Sequence, residues 1–136
     1  MNIATVKGFT LIELLLVLFI LLFILGFAAP ISYTLYSNYK ETNEIEKLTI
    51  FLSQIRREAF LYNKEIIIYE INESLYINDE VIKKFPFKFK VNSPIKFYNK
   101  GTSSGGIIYV FTGRSIYKLV IGSPFAEIHY ERVNSQ

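Results

Sequence analysis

The chain has 136 residues, 51% of them hydrophobic, a formal net charge of +3 and no cysteine. The mild charge gives no electrostatic case for a polyanion partner, and the lack of cysteine excludes disulfides, so an exported body would have to be held by packing alone. One domain of ordinary size is the expectation, but an apolar run takes about a sixth of the chain and leaves roughly a hundred residues for a soluble body.

The apolar run comes first. From Phe9 to Ala29 the only charged residue is Glu13. A helix of that length, at about 1.5 Å per residue, crosses a hydrocarbon layer of about 30 Å. A cleaved secretory signal would have a basic start at Lys7 and small residues at Ala28 and Ala29. Its apolar region, however, is usually only about 7 to 15 residues long, and an early acid disfavours it. A plain membrane anchor explains the length and leaves Glu13 unexplained. A carboxylate inside hydrocarbon costs roughly 2.5 to 3.5 kcal/mol on insertion scales, so it marks function and calls for a cationic partner. A cut after Gly8 would create one, the α-amino group of Phe9, less than two helical turns from Glu13. Helices packed side by side would then be held in register by that pair, within one chain or between neighbours.

Lys7, Gly8, Phe9, Thr10, Leu11, Ile12 and Glu13, read as KGFTLIE, resemble the type IV prepilin signature. The resemblance implies cleavage by a prepilin peptidase between Gly8 and Phe9 and N-methylation of Phe9. It also implies recruitment into a filament through Glu13, with Thr10 beside it, from an inner-membrane assembly platform. Pro30 matches a proline of pilin helices, and with Gly26 it would let the helix bend or unwind on packing. The implied partners are the peptidase, other minor and major pilins or pseudopilins, the platform, and membrane lipid before assembly. The implied location is a single pass through the inner membrane, body outside the cytoplasm, and then a pilus or pseudopilus.

Beyond Pro30 the pattern is helical and amphipathic. Ile45, Leu48, Leu52, Ile55, Ala59 and Tyr62 recur at steps of three and four and predict one apolar stripe, flanked by charged residues, that docks on a sheet. From Glu65 the period becomes strand-like. Predicted strands are 65–71, 74–77, 84–91, 95–98, 107–111, 116–121 and 126–130, punctuated by turn residues at 78–80, 92–94, 112–115 and 122–124. The fold class is therefore α+β: a long N-terminal helix, membrane segment continuing into amphipathic helix, on an antiparallel sheet body. The expected organisation is a leader over 1–8, a transmembrane and assembly helix over 9–30, an amphipathic helix over 31–63 and a β-rich body over 64–136.

Some stretches suggest sharper chemistry. KKFPFKFK interleaves Lys84, Lys88 and Lys90 with Phe85, Phe87 and Phe89, a composition suited to stacking bases and neutralising phosphates. Strict alternation also puts the three phenylalanines on one face and Lys88 and Lys90 on the other, as a half-buried strand requires, and that reading is preferred. A nucleic-acid surface would draw on Lys83, Lys84, Lys88, Lys90, Lys96 and Lys100. Gly101 to Gly106 is glycine-rich but lacks the lysine of a phosphate-binding loop, and reads as a flexible connection. His129 is the only histidine and has no cysteine beside it, so neither metal nor triad chemistry is expected. No nucleophile, base and orienting acid form a set. The chain reads as a non-enzyme without cofactor or metal.

The second half, IKFYNKGTSSGGIIYVFTGRSIYKLVI, is similar to the C-terminal region of H-type minor pseudopilins of type II secretion and FimT-like minor pilins. The shared pattern is a strand, a glycine-containing loop and two further strands. The typical Gly-Arg pair after the last strands is absent, and Gly113-Arg114 sits earlier, in a turn. The resemblance implies a minor subunit that primes or caps a short filament for protein secretion. The alternatives are a DNA-binding minor pilin for uptake, a minor pilin of twitching motility, and a processed envelope protein that never polymerises.

Overall fold

The computed structural model describes residues 8–133; the leader residues before Gly8, Lys7 among them, lie outside that range. The chain divides into two units, Met1–Lys40 and Glu41–Gln136. Helix α1 (Leu11–Leu61) belongs to both.

In the first unit every described residue from 8 to 36 is exposed. The helix is unbroken at Gly26 and Pro30. Ser32 and Thr34 donate their hydroxyls to the carbonyls of Ala28 and Pro30, at 2.9 and 3.1 Å, so these polar side chains are satisfied inside the helix.

The second unit is built on the apolar stripe of α1. Ile45, Leu48, Leu52, Ile55 and Ala59 are buried, as their spacing predicts. Full burial of a large aliphatic side chain such as leucine or isoleucine stabilises by about 1.5–3 kcal/mol. Tyr62 departs from the expectation: it is 67% exposed. The helix has already closed there, because Asn63 adopts a left-handed φ of 52°. The Asn63 amide donates to the Phe60 carbonyl and the Lys64 amide to that of Ala59. This is a Schellman closure, and the chain turns away before Tyr62 can extend the stripe.

The strands are β1 (Ile66–Ile71), β2 (Ser74–Ile77), β3 (Glu80–Val81), β4 (Lys88–Val91), β5 (Ile95–Phe97), β6 (Gly106–Phe111), β7 (Ile116–Ile121) and β8 (Ile128–Val133). They form two four-stranded antiparallel sheets, ordered β3-β2-β1-β5 and β4-β6-β7-β8. Two-residue turns at Asn72-Glu73 and Asn78-Asp79, all four residues at positive φ, close the first two hairpins. That geometry matches the strand twist. It also makes Glu80, expected in a turn, the first residue of β3.

The strand expected over 84–91 starts only at Lys88. Pro86 has no N–H to give a ladder. Even so, Phe85 and Phe89 are buried and Phe87 packs against the core. The last strand runs to Val133 rather than ending at Tyr130. Ala126, predicted to open it, sits in the preceding turn at φ 55°.

Residues 101–106 are not a loose connection. Ser103 is buried, its hydroxyl accepts from the Gly105 amide, and its own amide donates to the Pro124 carbonyl. The Ser104 hydroxyl accepts from the Lys96 amide, and its amide returns a bond to the Lys96 carbonyl. This segment carries the chain from one sheet to the other. A Cβ on Gly106 would lie 2.5 Å from Cγ1 of Ile95, so the two sheets meet where one residue has no side chain.

The helix is tied by polar contacts to β8 and to the turn before it. Arg56 donates to the carbonyls of Phe125 and Ala126, both at 3.2 Å. The Tyr130 hydroxyl donates to Glu46 at 3.2 Å.

Candidate processing and assembly site

The first turn of α1 is closed by its own side chains. Thr10 stands just before the helix, and its carbonyl accepts from the Leu14 amide at 3.2 Å. Its hydroxyl accepts from the Glu13 amide at 3.3 Å. In return Glu13 Oε2 accepts from both the Thr10 amide and the Thr10 hydroxyl, each at 2.9 Å. This is a reciprocal capping box, with threonine at the N-cap and glutamate at the third helical position. The Thr-x-x-Glu spacing ahead of an apolar run is visible in the sequence, and it supplies Glu13 with a local partner besides the expected cation. In the uncleaved chain the nitrogen of Phe9 is a peptide amide, and Thr10 holds Glu13 instead.

Beyond Thr10 and Glu13, the described structure shows no packing on the other residues of the signature. Phe9 is 76% exposed. Among the described residues, nothing lies within 4 Å of a Cβ built on Gly8 or on Gly26. An alanine methyl would meet no described neighbour at either place. A model of the prokaryotic N-terminal methylation motif matches residues 4–29. The chain has a type IV pilin-like amino terminus. Such a motif implies processing by a prepilin peptidase and assembly with other pilin-like subunits, and α1 is long and apolar enough to cross a membrane. No curated protein and no solved structure matches the chain.

The lysines weighed as a nucleic-acid surface are all exposed, but the fold distributes them. Lys88 and Lys90 share one face of β4, and Lys88 pairs with Glu73 at 2.6 Å. Lys84 lies over the rings of Phe51 and Phe85 at 5.4 and 5.9 Å. Lys96 is on β5, in the other sheet, and Lys83 and Lys100 lie in connections. His129, at the surface, has Nε2 3.5 Å from a Glu127 carboxylate oxygen.

Proposed function

We propose that this type IV pilin-like chain is a minor subunit, cut between Gly8 and Phe9 and N-methylated on Phe9. It then enters a short pseudopilus or pilus, which it primes or caps, in the service of protein secretion. The observation that supports this most is the conjunction at one helix end. An exposed Gly8-Phe9 bond directly precedes a carboxylate held in the first turn of a membrane-length helix. Cleavage turns the Phe9 amide into an ammonium group beside Glu13, and in an apolar bundle of such helices the two charges compensate each other. The role is structural, and its chemistry is done by other enzymes on this chain.

The H-type or FimT-like assignment adds the strand, loop and two-strand pattern of residues 95–121. Lys88 is paired with Glu73, which weighs against a free basic surface for nucleic acid.

Two measurements test the reading. Mass spectrometry of the mature chain should find N-methylphenylalanine at position 9 as its first residue, and an intact Gly8-Phe9 bond refutes processing. A clean deletion, scored in parallel for secreted proteins, surface pili and DNA uptake, should lose secretion with pili intact. Loss of pili or uptake with secretion intact makes the chain a motility or competence subunit.

A further inference from the structure

Tyr33, Tyr36 and Tyr39 follow the apolar run and are 67%, 67% and 73% exposed. Steps of three residues keep them within an arc of about 120° on the helix. Tyrosine pairs an apolar ring with a hydroxyl that seeks water, which is why it collects in the headgroup layers of membranes. At the other end of the run, the capping box turns Glu13 back onto Thr10. The N–H groups of Leu11 and Ile12, at the head of the helix, have no carbonyl of the helix itself within reach. In hydrocarbon they would go unsatisfied; among headgroups, water and ester carbonyls supply acceptors.

Both ends give the same register. We propose that, before assembly, the helix rests with Glu13 in the headgroup layer on its amino-terminal side, with Tyr33 at the far edge of the hydrocarbon and Tyr36 in the headgroup layer beyond it. The hydrocarbon is then crossed by residues 14–33 rather than by 9–29. That segment is 20 residues, about 30 Å of helix, which equals the thickness of the layer. Tyr36 then lies about 4.5 Å beyond the hydrocarbon edge, inside the headgroup layer, and Tyr39 about 9 Å beyond it, on the aqueous side. Ser32 is the one hydroxyl brought into the apolar zone ahead of Tyr33, and the Ala28 carbonyl already satisfies it. The shift moves Phe9, Leu11 and Ile12 out among the headgroups, which tolerate apolar side chains far better than hydrocarbon tolerates a carboxylate.

The surface that reads this face is thus the lipid headgroup layer. An unpartnered subunit keeps its carboxylate wet, and Glu13 enters an apolar bundle only where an ammonium group waits for it.

The inference rests on the membrane-spanning reading and can be tested apart from it. The chain has no tryptophan, so single tryptophans report depth cleanly. Full-length Phe19→Trp, Phe23→Trp and Tyr33→Trp proteins would be reconstituted in phosphatidylcholine vesicles carrying lipids brominated either near the headgroup or deep in the acyl chains. Tryptophan at 23 should be quenched more strongly by the deep bromines than tryptophan at 19, and tryptophan at 33 mainly by the shallow ones. With Glu13→Gln combined with Tyr33→Phe and Tyr36→Phe, both anchors are removed, so the helix should slide by about five residues, some 7 Å, and the order of 19 and 23 should reverse. Deeper quenching at 19 in the parent chain, or a profile unchanged by the triple substitution, overturns the proposal. Absence of quenching at all three positions overturns it together with the membrane-spanning reading. Failure of leader cleavage or filament entry in cells, with the vesicle profile as expected, strikes the proposed function alone.

Discussion

Gly106→Ala probes the contact on which the two-sheet body depends. The new methyl would sit 2.5 Å from Cγ1 and 2.8 Å from Cδ1 of Ile95. Ile95 is fully buried, so its side chain cannot swing into solvent to make room. Overpacking of this kind costs about 1–3 kcal/mol. Gly106 is not at positive φ, so alanine also returns about 0.4–1 kcal/mol by restricting the unfolded chain. The ranges leave a net loss of up to about 2.6 kcal/mol with a midpoint of about 1.3, which for a body of roughly a hundred residues lowers Tm by about 5–10 °C. Thermal unfolding of the full-length protein in detergent, followed by the near-ultraviolet circular dichroism of its tyrosines, reads that change. The companion is Ile95→Ala, which alone should cost about 2–5 kcal/mol through the cavity it leaves. Together the two changes should cost less than their sum by at least about 1 kcal/mol, because the methyl added at position 106 occupies part of that cavity. Additive losses, or a Gly106→Ala protein that melts like the parent, would show that β5 does not press on β6.

Other expectations follow from the same geometry. Leu52→Ala, at a fully buried position on the docked stripe, should cost about 2–5 kcal/mol by thermal or denaturant unfolding, whereas Ile50→Ala on the exposed side should stay within about 0.5 kcal/mol. Asn63→Gly should leave stability unchanged or slightly raised, while Asn63→Val forces a β-branched side chain to φ 52° and should cost about 1–2 kcal/mol. The Tyr130 hydroxyl titrates above the ordinary 10.0, first through burial and then through its bond to Glu46; that of Tyr69 is raised first by its bond to Asp79. Carbon-13 NMR of the tyrosine rings should therefore find Tyr69 moving back toward 10.0 in Asp79→Asn, and Tyr130 still raised in Glu46→Gln. The Lys118 ammonium is likewise held above its ordinary 10.5 by Glu131. All three groups keep their protons longer in the folded chain than in the unfolded one, so the body should be stable through neutral pH and weaken as pH rises past about 10. A flat stability profile into that range would count against these contacts.

At the candidate site, much was legible in the residues. The lone acid at Glu13 stands out because a charge in an apolar run is costly. Glu13's bond to Thr10 was equally open to reading, since a capping box is defined within four residues. A lone acid in hydrocarbon directs attention to cations, and that hides the nearer hydroxyl and amide. That Lys88 and Lys96 stand on strands of different sheets was not legible, because strand pairing decides it.

By itself the sequence determined what depends on segments shorter than about twenty residues. The apolar run sets a membrane-length helix, the steps of three and four from Ile45 to Ala59 set its buried stripe, and Asn78-Asp79 marks a turn, whereas the turn at Asn72-Glu73 went unread. Only the tertiary structure decided that β5 joins β1 while β6 leaves for a second sheet, that Ser103 is buried, and that Gly106 must lack a side chain. Strand partners are chosen by contacts between residues far apart along the chain. Ile95 and Gly106 show nothing of their fit until the backbones that carry them have met.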